Sequence, residues 1–306
     1  MSGKIEELAR NIESVFVGKP EAVRHTLVGL FANGHILIED VPGVGKTTLA
    51  RALARSIDCS FRRIQFTPDL LPSDIIGVSI YNASTCEFVF KPGPIFANVV
   101  LADEINRTTP RTQSSLLEAM SDSQASVDGS THRLPRPFLV LATQNPYEYE
   151  GTYPLPESQL DRFFLKIRVG YPPADDEKRL LDSRTALDPL ESLKPVITAD
   201  DVITMQAAVR QVKVEESLVD YAMEMVQRTR SHEELAVGAS PRGFLTLVRG
   251  AQALAFISGR DYCLPDDVKS LAVPILAHRV IGKRRYEAAN HAQIIEDIVN
   301  AVPVPV

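Results

Sequence analysis

Short apolar runs, each stopped by a turn signal, dominate the first 170 residues of the chain, and helical spacing dominates the rest. Ile5, Leu8, Ile12 and Val15 recur three to four residues apart, which predicts a helix over 4–16 with one buried stripe. Gly18 breaks it, and Lys19-Pro20-Glu21 opens a second helix whose apolar face (Val23, Leu27, Leu30, Phe31) runs into the stop Asn33-Gly34. Strands are predicted at the apolar runs beginning at His35, Phe61, Asn98, Phe138 and Phe164. The runs 98–104 and 138–143 lack alternation, as in a parallel strand covered on both faces. Alternation around Asn82-Ala83-Ser84 and around Asp128-Gly129 predicts two hairpins. Thr112 to Met120 reads as an amphipathic helix. Tyr171-Pro172-Pro173 breaks the chain, and helical patterns or caps follow over 174–186, 199–210, 215–231, 241–259, 265–279 and 290–301. The expected organisation is an α/β domain over 1–170 and a small helical domain over 171–306.

Composition narrows the class. At 306 residues, 44% hydrophobic and 24% charged, the chain can bury a sizeable core. A net charge of −6 argues against a surface built to grip nucleic acid. Cys59, Cys86 and Cys263 have no metal-site spacing and are odd in number, which favours a reducing compartment. The polar stretch Ser2 to Arg10 lacks a signal-peptide core, and no run approaches the roughly 18 apolar residues of a membrane span, so a cytoplasmic protein is expected.

The chemistry centres on Asp40-Val41-Pro42-Gly43-Val44-Gly45-Lys46-Thr47-Thr48. A strand, a glycine-bearing loop and a helix-forming run from Leu49 follow one another without a gap. Such a loop turns its N–H groups and the helix dipole toward a polyphosphate. Lys46 can then reach the outer phosphates and Thr47 can hold magnesium. Asp40 stands where the general pattern has glycine, and Pro42-Gly43 can supply the turn instead. Val17-Gly18 lies at a bend shortly before the loop, where an adenine ring could rest or two helices simply join.

Asp103-Glu104 closes a buried strand, the edge at which open α/β sheets place ligands. Beside a phosphate loop, Asp103 would hold magnesium through water and Glu104 would orient and polarise the attacking water; alone, the pair would be an acidic strand end. Asn145 ends the next buried run and can bond the water or the γ-phosphate, or merely form an Asn-Pro turn.

In this order the residues resemble the AAA+ ATPases and, within them, the MoxR family. The stretches 39–47, 102–107, 142–146 and 155–163 carry the resemblance, which spans nearly the whole chain; Glu39-Asp40 before the loop is normal for MoxR proteins. The resemblance implies an AAA+ P-loop domain, a parallel sheet flanked by helices with hairpin insertions at 78–91 and 124–137, plus an all-α C-terminal lid. It implies that Lys46 and Thr47 are the Walker A residues, Asp103 and Glu104 the Walker B pair, and Asn145 sensor 1. Arg162 would be the arginine finger acting on a neighbouring subunit's nucleotide, and Arg242 would be sensor 2, reaching from the lid to the γ-phosphate. A cation at the first turn of a helix opposes the dipole, and a phosphate there would offset that. The implied protein is a magnesium-dependent ATP hydrolase forming a homo-oligomeric ring, expected to be hexameric. Lid motion would drive chaperone-like maturation, or metal or cofactor insertion, in a client protein, with a separate partner carrying a von Willebrand factor A domain. A DNA-translocating or helicase-type motor, with Lys91, Arg133 and Arg136 lining a pore, and a magnesium-chelatase-like ATPase subunit are the alternatives.

Overall fold

The structure is a computed structural model and describes residues 2–147, 151–183, 189–283 and 290–305. In chain order it contains α1 (Ser2–Glu13), α2 (Pro20–Phe31), β1 (Ile36–Glu39), α3 (Lys46–Ser56), β2 (Phe61–Gln65), α4 (Pro72–Ile76), β3 (Gly77–Asn82), β4 (Glu87–Pro92) and β5 (Val99–Asp103). A short 3₁₀ turn over Ile105–Arg107 leads to α5 (Pro110–Asp122), β6 (Gln124–Val127), β7 (Ser130–Arg133), β8 (Leu139–Gln144), α6 (Glu157–Leu160) and β9 (Leu165–Ile167). Then come α7 (Ala174–Ser183), α8 (Pro189–Ser192), α9 (Ala199–Val209), α10 (Glu216–Ser231), β10 (Leu235–Val237), α11 (Pro241–Ile257), α12 (Pro265–Leu276), β11 (Ile281–Gly282) and α13 (Asn290–Ala301). Residues 184–186 of the predicted helix 174–186 lie outside the described residues.

One five-stranded sheet, ordered β2-β5-β8-β1-β9 and parallel throughout, organises the first part. Its strands are apolar on both faces because helices cover both. Ile36, Ile38, Val99, Leu101, Leu139 and Leu141 enter the core shared with α1, α2, α3 and the C-terminal helices. Leu37, Val100, Ala102, Val140 and Ala142 enter a second core with α5 and Phe163. Strand side chains alternate between faces, so a continuous apolar run is what such a strand requires. Leu141 is fully buried, and its truncation to alanine would cost about 2–5 kcal/mol. Buried His35 sews the layers together: Nε2 meets the Met120 carbonyl at 2.9 Å, and Nδ1 accepts the Val140 amide at 3.1 Å.

Both predicted hairpins form, β3 with β4 and β6 with β7. Asp128 and Gly129 take φ of 50° and 78°, the two left-handed positions that a tight hairpin turn demands. The hairpins touch where Phe90 stacks on His132, ring centroids 3.8 Å apart. Tyr81 and Phe88 pair edge to face farther out and stay exposed.

The C-terminal helices pack α11 on α12 and α2, and α12 on α13 and β9. The expected capping box of α9 is present, with Thr198 Oγ1 accepting the Asp201 amide and Asp201 Oδ2 accepting the Thr198 amide. The part expected to be wholly α-helical also holds a small antiparallel ribbon, β10 with β11. No helix among the described residues is long and apolar enough to cross a membrane.

Candidate active site

The loop between β1 and α3 begins at the C-terminal tip of a central strand. Gly43 and Gly45 have φ of 85° and 92°, which an L side chain adopts only under strain, and a Cβ on Gly45 would stand 3.1 Å from the Phe16 ring. Gly45 is the N-cap of α3 and offers no side-chain cap, so the first-turn amides are left to an anion. Lys46 Nζ curls back onto its own loop, donating to the carbonyls of Asp40 at 2.8 Å and Val41 at 3.1 Å. Asp40 is a clamp: Oδ1 accepts the Val41 amide at 2.8 Å, while Oδ2 accepts Val169 and Gly170 at 2.7 and 2.6 Å.

The acidic pair ends β5, beside β8 and two strands from β1. Asp103 Oδ1 accepts the Thr143 hydroxyl at 2.6 Å, and Oδ2 accepts Arg63 Nε at 3.0 Å and Nη2 at 2.5 Å. Thr143 Oγ1 in turn accepts the Glu104 amide at 2.9 Å. Glu104 lies in the left-handed region, φ 58° and ψ 50°, where a residue without the freedom of glycine is strained. Its Oε2 accepts Gln65 Nε2 at 2.7 Å and Arg107 Nη1 at 3.0 Å. Asn145 Oδ1 accepts the Tyr147 amide at 3.1 Å.

These groups share one cavity of about 320 Å³. Pro42, Gly43, Gly45, Lys46 and Thr47 line it together with Asp103, Glu104, Asn145, Arg63 and Thr143. Val44 and Thr48 do not line it, and Val44 is buried. Gly18 lines a separate cavity of about 570 Å³ between the start of α2, the end of β9 and α12; Val17 lines neither. Lys19 links the two regions, its buried ammonium donating to the Val44 carbonyl at 3.0 Å. Burial pushes the Lys19 pKa down, opposed by Asp40 and Glu177.

The two arginines do not join this cavity. Arg162 is exposed and donates to Ser121 Oγ at 3.3 Å. Arg242 is exposed in the first turn of α11 and does not line the cavity. The reason is the lid's seat: α11 lies against α2 and α12 against β9, which brings the first turn of α11 to Asp161. Ser240 caps that turn, accepting the Gly243 amide at 3.2 Å and donating to the Asp161 carboxylate at 3.4 Å. The segments that carry Arg162 and Arg242 thereby meet.

Arg63, Gln65, Arg107 and Thr143 are site residues that sequence reasoning missed. Arg63 and Gln65 alternate with buried Ile64, so their outward direction was readable. Their partners depend on Gln65 lying in register with Asp103 across two strands far apart in the chain.

A phosphate loop at one strand tip, an acidic pair two strands away and a helical lid define an AAA-type ATPase. The model of the ATPase family associated with various cellular activities (AAA) matches residues 35–165, and that of the AAA lid domain matches 227–299. Chaperone MoxR1 of Mycobacterium tuberculosis is 41% identical over 97% of this chain and 80% of its own length. Uncharacterized protein YeaC of Bacillus subtilis is 52% identical, covering 97% of this chain and 93% of its own. A crystal structure from Cytophaga hutchinsonii superposes with a TM-score of 0.92 at 41% identity, covering 100% of this chain and 96% of its own. The chain belongs to the MoxR family of AAA+ ATPases.

Proposed function

We propose that this ATPase works as a ring of identical copies, six by its kinship with AAA+ proteins, in which each nucleotide lies between two subunits. The observation that carries the reading is the separation of parts. Lys46, Thr47, Asp103, Glu104 and Asn145 share one cavity, whereas Arg162 and Arg242 lie off it on two segments joined by the Ser240–Asp161 contact. A donor face and an acceptor face that differ make a head-to-tail contact, and such contacts form rings when the rotation between copies closes. Both arginines would then serve the neighbouring subunit's ATP.

Within that site Lys46 would leave its loop carbonyls for the outer phosphates. Thr47 and Asp103 present oxygen ligands to the same cavity and suit a hard cation. Magnesium held there supplies charge neutralisation on the phosphate oxygens. Both bonds to Glu104 fall on Oε2, so Oε1 is the oxygen that would orient and polarise the attacking water. Asn145 would bond that water or the γ-phosphate. Arg162 would stabilise developing charge from the neighbour, a role contributing about 10³–10⁵ in rate in related enzymes.

The work delivered is chaperone-like maturation of a client protein, metal or cofactor insertion included, with a separate von Willebrand factor A partner. Kinship with Chaperone MoxR1 supports the first part. The exposed aromatics Tyr81 and Phe88 on the β3–β4 hairpin offer a surface for the client. Mixing Arg162→Ala with Lys46→Ala tests the shared site. Each alone should be nearly inactive, and the mixture should recover turnover where an intact arginine meets an intact phosphate loop. A co-assembled mixture without recovery overturns the reading.

A further inference from the structure

Arg279 follows α12, yet most of its hydrogen bonds run into the segment that carries Arg162. Its side chain is 1% exposed. Nε donates to Asp161 Oδ1 at 2.9 Å, and Nη2 donates to the carbonyls of Phe163 at 2.5 Å and Asp161 at 3.4 Å. Nη1 donates to the Phe164 carbonyl at 3.3 Å and to the carbonyl of Ile275 in the last turn of α12. Adjacent His278 adds a contact to the Phe163 carbonyl at 3.3 Å. One guanidinium thus takes acceptors immediately before and immediately after Arg162 and leaves that side chain exposed.

The fit includes the other arginine's helix. A Cβ on Gly243 would stand 3.1 Å from Arg279 Cδ, so glycine beside Arg242 leaves room for the guanidinium stem. Burial pushes the Arg279 pKa down to about 10, with Asp161 opposing, and the group stays charged at neutral pH. A buried charge persists only with its acceptors in place, so this arrangement is held as a unit.

We propose that Arg279 is a positioning residue that couples the lid to the presentation of Arg162, holding the 161–164 segment so that lid displacement moves the arginine serving the neighbouring subunit. The inference rests on the shared-site reading above. It assigns Arg279 and Asp161 to the same functional group as Arg162, though neither lines the cavity.

The test uses the full-length chain and three variants. Asp161→Asn keeps size and the Ser240 contact; Arg279→Lys keeps charge; Arg279→Met removes it. Asp161→Asn and Arg279→Met should each lower kcat at least tenfold with KM for ATP within twofold, and Arg279→Lys should fall between them and wild type. In mixed rings Asp161→Asn should recover activity with Lys46→Ala, which supplies an intact Arg162, and should not recover with Arg162→Ala. The reverse pattern would place Asp161 at its own chain's nucleotide and overturn the coupling, as would kcat within twofold of wild type. Should Arg279→Met fail to fold, Asp161→Asn decides. If the Arg162→Ala and Lys46→Ala control mixture stays inactive despite co-assembly, the shared site itself is wrong and the coupling falls with it.

Discussion

The Asp40 carboxylate accepts the Gly170 amide at 2.6 Å, which ties the start of the phosphate loop to the stretch leading out of β9 toward α7. The same oxygen takes the Val169 amide, and the other takes Val41. A position that departs from the general phosphate-loop pattern is therefore a structural clamp between the nucleotide loop and the chain that leads to the lid.

Restoring the pattern with Asp40→Gly should harm the protein. Val169 N–H is buried, and hydrogen bonds to an ionised acceptor contribute about 1.5–3 kcal/mol each. Loss of the bond to the buried Val169 amide should lower unfolding stability by about 1.5–3 kcal/mol, read from urea denaturation monitored by circular dichroism. A change within 0.5 kcal/mol, about the scatter of surface substitutions, would show that water replaces the carboxylate without loss.

Arg63 is, with Lys46, a cation lining the cavity and holds Asp103 at 2.5 Å. Its side chain is 49% exposed, so its contribution belongs at the low end for a charge-assisted contact. Arg63→Met should raise the Kd for ATP about tenfold, and added salt should narrow the difference from wild type. Unchanged affinity at low salt would confine Arg63 to orienting Asp103.

Much of this molecule was legible because local chemistry and global fold agree. Asp128-Gly129 supplies two left-handed positions to its hairpin, and Thr198 and Asp201 satisfy each other's backbone amides. What stayed hidden depends on pairings far apart in sequence. β10 is three residues long and finds its partner only after α11 and α12 have folded back. The strand expected from Phe164 spans only Leu165–Ile167, and beyond it the amides of Val169 and Gly170 go to Asp40, not to a ladder. The seat of Arg242 was hidden for the same reason. Nothing local to Ser240-Pro241-Arg242 says that α11 will start at Asp161.

Glu104→Gln keeps the shape of the side chain and its bond to Arg107 but removes the charge that would polarise water. Turnover should fall at least a hundredfold, in the range typical for loss of a general base, with ATP affinity within about threefold of wild type. Equilibrium binding with a fluorescent ATP analogue and steady-state phosphate release together check this. Near-normal release would move the role elsewhere.

His35 makes stability depend on acid. Burial pulls its pKa down from the ordinary 6.5 to about 4, with the Met120 carbonyl opposing, so the folded protein keeps it neutral. Between those values the unfolded chain binds the extra proton, and stability therefore rises with pH across that window and is fully present above it. As pH falls from 6.5 toward 4, this one group should remove up to about 3 kcal/mol, at close to 1.4 kcal/mol per pH unit once well inside the window. His278, buried and shifted the same way, adds to the slope. His35→Gln retains one donor and one acceptor for the Met120 carbonyl and the Val140 amide but does not titrate. Its unfolding free energy, measured in urea from pH 7 to pH 5, should fall less steeply than wild type even if it starts lower. An identical slope would mean that other groups carry the acid sensitivity.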